Sequence, residues 1–347
     1  MINDKNLKLE SGNDCSNYQV AGNLIKGVTY TEAKDIALTV FKANFHELSQ
    51  QASTIALGRV EQFIKESMGR LQSKQIAPES FAHDPDFQCS FLEAQKAYAR
   101  SGDENQKNIL LNLVSQRAQI AERNIKQIVV NEAIVTVSKL TKEHLSVLAV
   151  AFLFRYSLFA KVLNINDLGQ RILKLLPQFI SQLNKNNIVY QHLEFAGCGA
   201  IQIIENKLEA DLRSNYPHLF HEGFTNVDAG ELLALYPDLF INCLNGNGNL
   251  QIKANAATEL DKLFISMKVS EVEQKKILQL LTHNPMSESK INELVISVAP
   301  CMRELFDIWR TSSLSRFTLT SIGIAIGHSL ILSIDPNWGD LSIWLEQ

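Results

Sequence analysis

Between Thr31 and Gln75 apolar side chains recur three and four residues apart, from Ala33, Ile36, Ala37 and Val40 through Ile64, Met68 and Leu71, with no proline before Pro78. That spacing predicts an amphipathic helix. A continuous helix over this span is about 65 Å long at 1.5 Å per residue, longer than a domain of this size is wide, unless Gly58 or Gly69 breaks it. One side of such a rod needs a packing surface outside its own domain, which points to a second subunit or a partner. After a polar turn at 78–85 the helical period returns at 86–100, 104–123, 125–140 and 145–163. The separators Ser101-Gly102-Asp103 and Leu140-Thr141-Lys142-Glu143 carry helix-stop and helix-start chemistry. The segment 145–163 is apolar on nearly all faces and reads as the central helix of a bundle, while Arg155 and Lys161 argue against a membrane span.

Strict alternation appears in Asn17 to Tyr30, where Tyr18 and Val20 precede Gly22-Asn23 and Leu24, Val28 and Tyr30 follow it. A Gly-Asn pair between alternating runs is a hairpin signal, and two strands alone bury too little to be stable. The hairpin therefore calls for a partner: the alternating run Leu341 to Leu345, or the same element in other subunits. Tyr18, Val20, Gly22, Leu24, Val28 and Tyr30 are the candidate oligomerisation residues. The expected fold is mainly α: helical bundles with a long N-terminal helix and a small β element made of an N-terminal hairpin and a C-terminal strand. Its expected parts are a flexible arm at 1–14, the hairpin at 15–30, the long helix and bundle at 31–183, and, past the linker-like run 184–187, a helical domain at 188–347. Helices are expected there near 199–214, 228–236, 256–268, 271–281 and 290–309. The string YPxLF occurs at Tyr216 to Phe220 and at Tyr236 to Phe240, read as two similar helix-entry corners, and Asn245-Gly246-Asn247-Gly248-Asn249 reads as a turn or exposed loop.

Composition narrows the functional classes. The 347 residues carry a formal net charge of -4 with no basic block, so no broad nucleic-acid surface is expected. The five cysteines, Cys15, Cys89, Cys198, Cys243 and Cys301, are scattered and never form CxxC, which fits a reducing compartment and no zinc module. The polar N-terminus has no signal-peptide core, and the expected location is the cytoplasm.

Candidate chemistry is sparse. Gly197-Cys198-Gly199 before an apolar run could expose a nucleophilic thiol, but no base can be placed, and the same glycines serve a close helix approach. His218 and His221 have neither HExxH nor HxxEH spacing and read as half-exposed residues of a first helical turn. His83-Asp84-Pro85-Asp86 reads as a helix cap. P-loop, GxGxxG, GxSxG and calcium-loop motifs are absent, and no cofactor, metal or catalytic residue is assigned. Phe317 to Ile334 is free of charged residues and has Gly323 and Gly327 at GxxxG spacing: a membrane-inserting helix in one reading, and in the other a buried helix capped at Thr320 or Ser321, with His328 at the surface and Asp335-Pro336-Asn337 as its stop.

Together, GNDCSNYQVAGNLI, DPDFQCSFLEAQKAYARSGD, LSVLAVAFLFRYS, LTSIGIAIG and LSIWL resemble an uncharacterised family of bacterial proteins of similar length. More distantly, a bundle followed by an LTxxG helix and a closing strand resembles abortive-infection proteins of the Abi-alpha type, and SNYQVAGN is similar to short β tags on bacterial conflict proteins, with Cys15 a departure from the tag. The resemblance implies a role in anti-phage defence. The leading expectation is a non-enzymatic, homo-oligomeric interaction or sensor protein, partnered by itself and by a phage or host protein. The alternatives are a membrane-acting effector using the Phe317 to Ile334 helix and a winged-helix-like regulator that binds nucleic acid.

Overall fold

The computed structural model describes residues 28–44, 50–254, 257–282 and 285–346. Thr29 and Glu32 cap the first helix reciprocally, the Thr29 N–H donating to Glu32 Oε2 at 2.8 Å and the Glu32 N–H to Thr29 Oγ1 at 3.2 Å. The expected rod is two helices, α1 Tyr30–Asn44 and α2 Gln50–Ser73, with Gly58 and Gly69 both inside α2. They pack on one another, and the Tyr30 hydroxyl donates to Ile76 O at 2.6 Å, so the start of α1 lies at the end of α2. Ala33, Ala37 and Phe41 are buried on one side of this pair and Val60, Phe63 and Leu71 on the other. Much of the apolar stripe that called for a partner along a rod is thus covered within the chain, while Ile36 and Ile55 stay exposed. Tyr30 opens a helix instead of ending a strand, Val28 is half-buried against the core, and Tyr18, Val20, Gly22 and Leu24 lie outside the described residues.

The bundle continues with α3 Glu79–Ala82, α4 Pro85–Ser101, α5 Glu104–Arg117, α6 Ile125–Val137 and α7 Lys142–Ala151, the last running into a π-helical turn at Phe152–Tyr156. Its boundaries follow side-chain chemistry. Asp84 accepts from Asp86 N, Asp103 from Asn105 N and Gln106 N, and Asn124 from Gln127 N, while Gly102 at φ +60° ends α4. Helix α5 is buried nearly all round although it carries Lys107, Asn112 and Arg117. Each is paired: Lys107 with Glu104 at 2.7 Å and Glu66 at 2.9 Å, Arg117 with Asp84 at 2.7 Å and Asp86 at 2.8 Å, and Asn112 with Arg70 at 2.6 Å. The hydrogen bond from Arg117 to Asp86 is the main reason that this carboxyl lies below its ordinary range. The HDPD motif is therefore a cap that also clamps a buried guanidinium.

The chain then forms α8 Ile165–Leu175, α9 Pro177–Ile180, α10 Asn187–Phe195, strand β1 Gly199–Ile201 and α11 Leu208–Asn215. A smaller unit follows, α12 Asn226–Ala229, α13 Glu231–Leu235, strands β2 Phe240–Asn242 and β3 Leu250–Ile252, α14 Ala257–Met267 and α15 Glu271–Thr282, with its own apolar cluster around Leu239, Phe264 and Ile277. The tyrosines of the two YPxLF strings share one backbone conformation, Tyr216 at φ -132°, ψ 59° and Tyr236 at φ -134°, ψ 61°. Both are helix exits, where the tyrosine N–H closes the preceding helix and the leucine N–H bonds back to the tyrosine carbonyl at 2.9 and 3.0 Å. The NGNGN loop joins β2 to β3, and its asparagine amides strap the 219–222 backbone, Asn245 Nδ2 donating to His221 O at 2.7 Å and Asn249 Nδ2 to Glu222 O at 2.8 Å.

Helices α16 Glu288–Val298 and α17 Met302–Thr311, strand β4 Phe317–Leu319, α18 Ser321–Ile334 and the turn α19 Ser342–Leu345 complete the described chain. The expected C-terminal strand is α19, which also removes the wing of the winged-helix reading. Thr320 caps α18, a 14-residue helix packed among α5, α6 and α7. Residues on both sides of 184–187 share one apolar cluster, and Asn187 already opens α10. His328 is buried and not at the surface, its Nε2 bonded to Gly339 O at 2.7 Å. No helix among the described residues is long and apolar enough to cross a membrane.

Glycine explains how α18 reaches the centre. A Cβ on Gly323 would lie 1.9 Å from Cys198 O, and one on Gly327 would lie 2.8 Å from Leu148 O. Gly323→Ala is expected to cost about 3 kcal/mol, because the obstacle is backbone. Gly58, exposed in α2 with nothing within 4 Å, provides the contrast. Gly58→Ala is expected to stabilise by about 0.5–1 kcal/mol in chemical denaturation.

Candidate functional site at the β1–β4 ladder

Two sequence motifs meet at one short ladder. Gly197, at φ +75°, ends α10 and turns the chain into β1, which pairs antiparallel with β4 in the register Gly199↔Leu319, Ala200↔Thr318 and Ile201↔Phe317. The Thr320 hydroxyl donates to Gly197 O at 2.6 Å and accepts from Gly323 N at 3.3 Å, and the Thr320 N–H donates to Cys198 O at 3.1 Å. One threonine thus joins the GCG turn to the LTSIG helix. Gly199 is small for a related reason, since a Cβ there would lie 2.3 Å from the Phe317 ring. Cys198, caught between these glycines, is fully buried, and burial pushes its thiol up to about 12. The close-approach reading of GCG holds, and the thiol is not presented to substrate.

Side chains blunt the outer edges of the ladder. From the π-helical turn, Arg155 Nη2 donates to Ser315 O at 2.9 Å and Nη1 to Phe317 O, while the Tyr156 hydroxyl accepts from Leu319 N at 2.8 Å. The Arg155 guanidinium also lies 5.4 Å from the centre of the Trp309 ring, with Asp211 Oδ2 3.9 Å from its Nε. Burial raises the Asp211 carboxyl, and the arginine opposes that shift. On the other edge Glu194 Oε1 accepts from Ile201 N at 3.2 Å. Capped edges of this kind block strand addition.

Past the ladder the chain is pinned by Gln202 N to Arg316 O and Asn206 N to Ser315 O, each at 2.8 Å. Between these pins Ile203 and Ile204 are 97% and 77% exposed, and Phe195, at the end of α10, is 86% exposed. Isolated exposed apolar residues are common, but an adjacent pair held between two backbone bonds offers an apolar tip. Apolar periodicity had no means of finding it, because the doublet belongs to neither a strand nor a helix. Arg155 was visible only as a charge inside an apolar run.

The other candidates do not assemble a site. His218 and His221 follow the exit of α11 instead of starting a helix, and line one recess of about 140 Å³. His218 Nε2 lies 3.2 Å from Val162 O, and His221 Nδ1 accepts from Gly223 N at 2.9 Å. Burial lowers both imidazoles. Among the described residues no group of three or more His, Cys, Asp or Glu is placed to hold a metal ion.

Fold and site define a mainly helical protein whose C-terminal helix is locked to a two-stranded ladder. A protein-family model described as ":-like" matches residues 27–345, and the chain belongs to that family. No curated protein and no solved structure matches it.

Thiol burial sets an order of reactivity. Under native alkylation at pH 8 followed by peptide mass spectrometry, exposed Cys89 is expected to react first among the cysteines of the described residues. Cys198 and Cys243, whose thiols burial pushes up to about 12 and about 11, are expected to react only on unfolding.

Proposed function

We propose that this chain is a non-enzymatic interaction or sensor protein that assembles with copies of itself and acts in bacterial anti-phage defence. The carrying observation is the exposed apolar pair Ile203 and Ile204, presented at the end of a ladder with capped edges. Such a surface suits docking by side-chain burial, and about 25 cal/mol per Å² of buried apolar area gives it a driving force. The internal pairing of Lys107 and Arg117 supports a structural use for these charges over a chemical one. The defence role draws on the resemblance to Abi-alpha-type proteins and β tags, and a phage or host protein is its expected second partner.

Full-length protein is expected to exceed monomer mass in size-exclusion chromatography with light scattering. The double substitution Ile203→Asp, Ile204→Asp should lower that mass without changing the circular dichroism, and removal of residues 1–27 tests the N-terminal segment separately. A monomer at every concentration sinks the assembly reading. Unchanged phage plaquing on a bacterial host expressing the protein counts against the defence role.

A further inference from the structure

Two adjoining recesses open where α5, α7, α18 and the chain around α9 meet, of about 390 and 410 Å³, and they share Lys142, Leu145 and Gln182. Together they fall in the size range of small-molecule sites.

The second recess contains a buried acceptor with nothing to accept. Gln106 is only 9% exposed, and its Nε2 donates to Leu140 O at 2.8 Å. Its Oε1 is buried without a partner, a state that ordinarily costs about 1–3 kcal/mol. Asp103 and Glu143 line the same recess with Ser101, Thr141 and Gln182; Asp103 Oδ1 already accepts from Asn105 N and Gln106 N and Glu143 Oε2 from the Thr141 hydroxyl, and the two carboxylates outnumber the single ammonium of Lys142, which is 3.6 Å from Asp103. Such a lining suits hydroxyl donors and disfavours a phosphate.

The first recess is a different chemical half. Phe179 and Leu330 supply apolar wall, and the polar lining is four carboxamides together with Lys142, Ser146 and Ser333. Asn108 Oδ1 is taken by Arg70 Nη2 at 3.1 Å, which leaves the Asn108 amide N–H groups for a guest. Gln178 Nε2 donates to Leu175 O at 3.2 Å, which leaves the Gln178 carbonyl oxygen. Donor and acceptor over an apolar wall complement a planar heterocycle edge, which offers both.

We propose that the joined recess binds a nucleoside, its base in the carboxamide half and its sugar hydroxyls donating to Gln106 Oε1 and the carboxylates. The inference is independent of the apolar tip, since the two share no residue. Isothermal titration of full-length protein with adenosine, guanosine, cytidine and uridine, and with each 5′-monophosphate, tests it. At least one nucleoside should bind at one per chain, with its monophosphate at least tenfold weaker. Gln106→Leu and the exposed Gln178→Leu should each weaken the nucleoside at least tenfold with unchanged circular dichroism; Gln178 keeps the test valid if the buried variant fails to fold. No heat from any nucleoside at millimolar concentration, a monophosphate that binds as tightly, or binding untouched by the Gln178 substitution overturns the proposal. Light scattering on the same samples reads assembly separately.

Discussion

Helix α18 touches backbone through glycine, and the rest of the architecture is arranged around that approach. Gly323 faces the Cys198 carbonyl and Gly327 the Leu148 carbonyl, at separations that leave no room for a Cβ. Close contact on two sides makes a single helix the common wall of the bundle and of the β1–β4 ladder. Thr320 then performs two tasks, capping α18 and bonding the Gly197 carbonyl, so the helix start and the ladder end are positioned by one residue. The π-helical turn after α7 belongs to the same arrangement, because it brings Arg155 and Tyr156 to β4 together.

The bundle side is held by polar groups inside an apolar core. Removing one partner from a buried ion pair leaves an uncompensated charge, at a cost of about 3–5 kcal/mol, whereas a well-packed apolar replacement of the whole pair is often neutral. Lys107 and Arg117 on α5 therefore contribute less net stability than their short distances suggest. Their effect is on register, since each bonds groups on different elements: α2 for Lys107 through Glu66, and the start of α4 for Arg117 through Asp84 and Asp86. The pairing is not complete: Gln106 Oε1, like Ser115 and Gln116 on the same helix, is buried without a protein partner, and Gln106 is the one of these that lines a recess described above.

Helix periods were legible wherever a stop or start signal sat beside them. Gly102 and Asp103, and Thr141, mark real boundaries. The apolar period of the first rod runs through the division between α1 and α2 because nothing in residues 45–49 is a glycine or proline, and that division accompanies burial of Ala33, Ala37 and Phe41 as α1 packs on α2 and α4. Alternation in Leu341 to Leu345 failed for a related reason: five residues fit either period, and Trp344 is held by a hydrogen bond to Tyr156 O that local pattern does not encode. Of the site, the sequence disclosed the GCG turn and the LTSIG cap as separate motifs but not their meeting.

Sequence by itself determined the mainly helical class, the helix ends that carry a cap or stop signal and the small-residue spacing of α18, because periodicity, capping and steric size act within a few residues. Tertiary structure alone decided which distant groups meet: Cys198 with Gly323, Arg155 with Phe317, and the fold-back of α1 onto α2. It also decided that Ile203 and Ile204 stay exposed while the longer apolar run of α18 does not. The reason is physical: burial belongs to surfaces assembled from segments far apart in the chain, and no local spacing specifies which of them arrives.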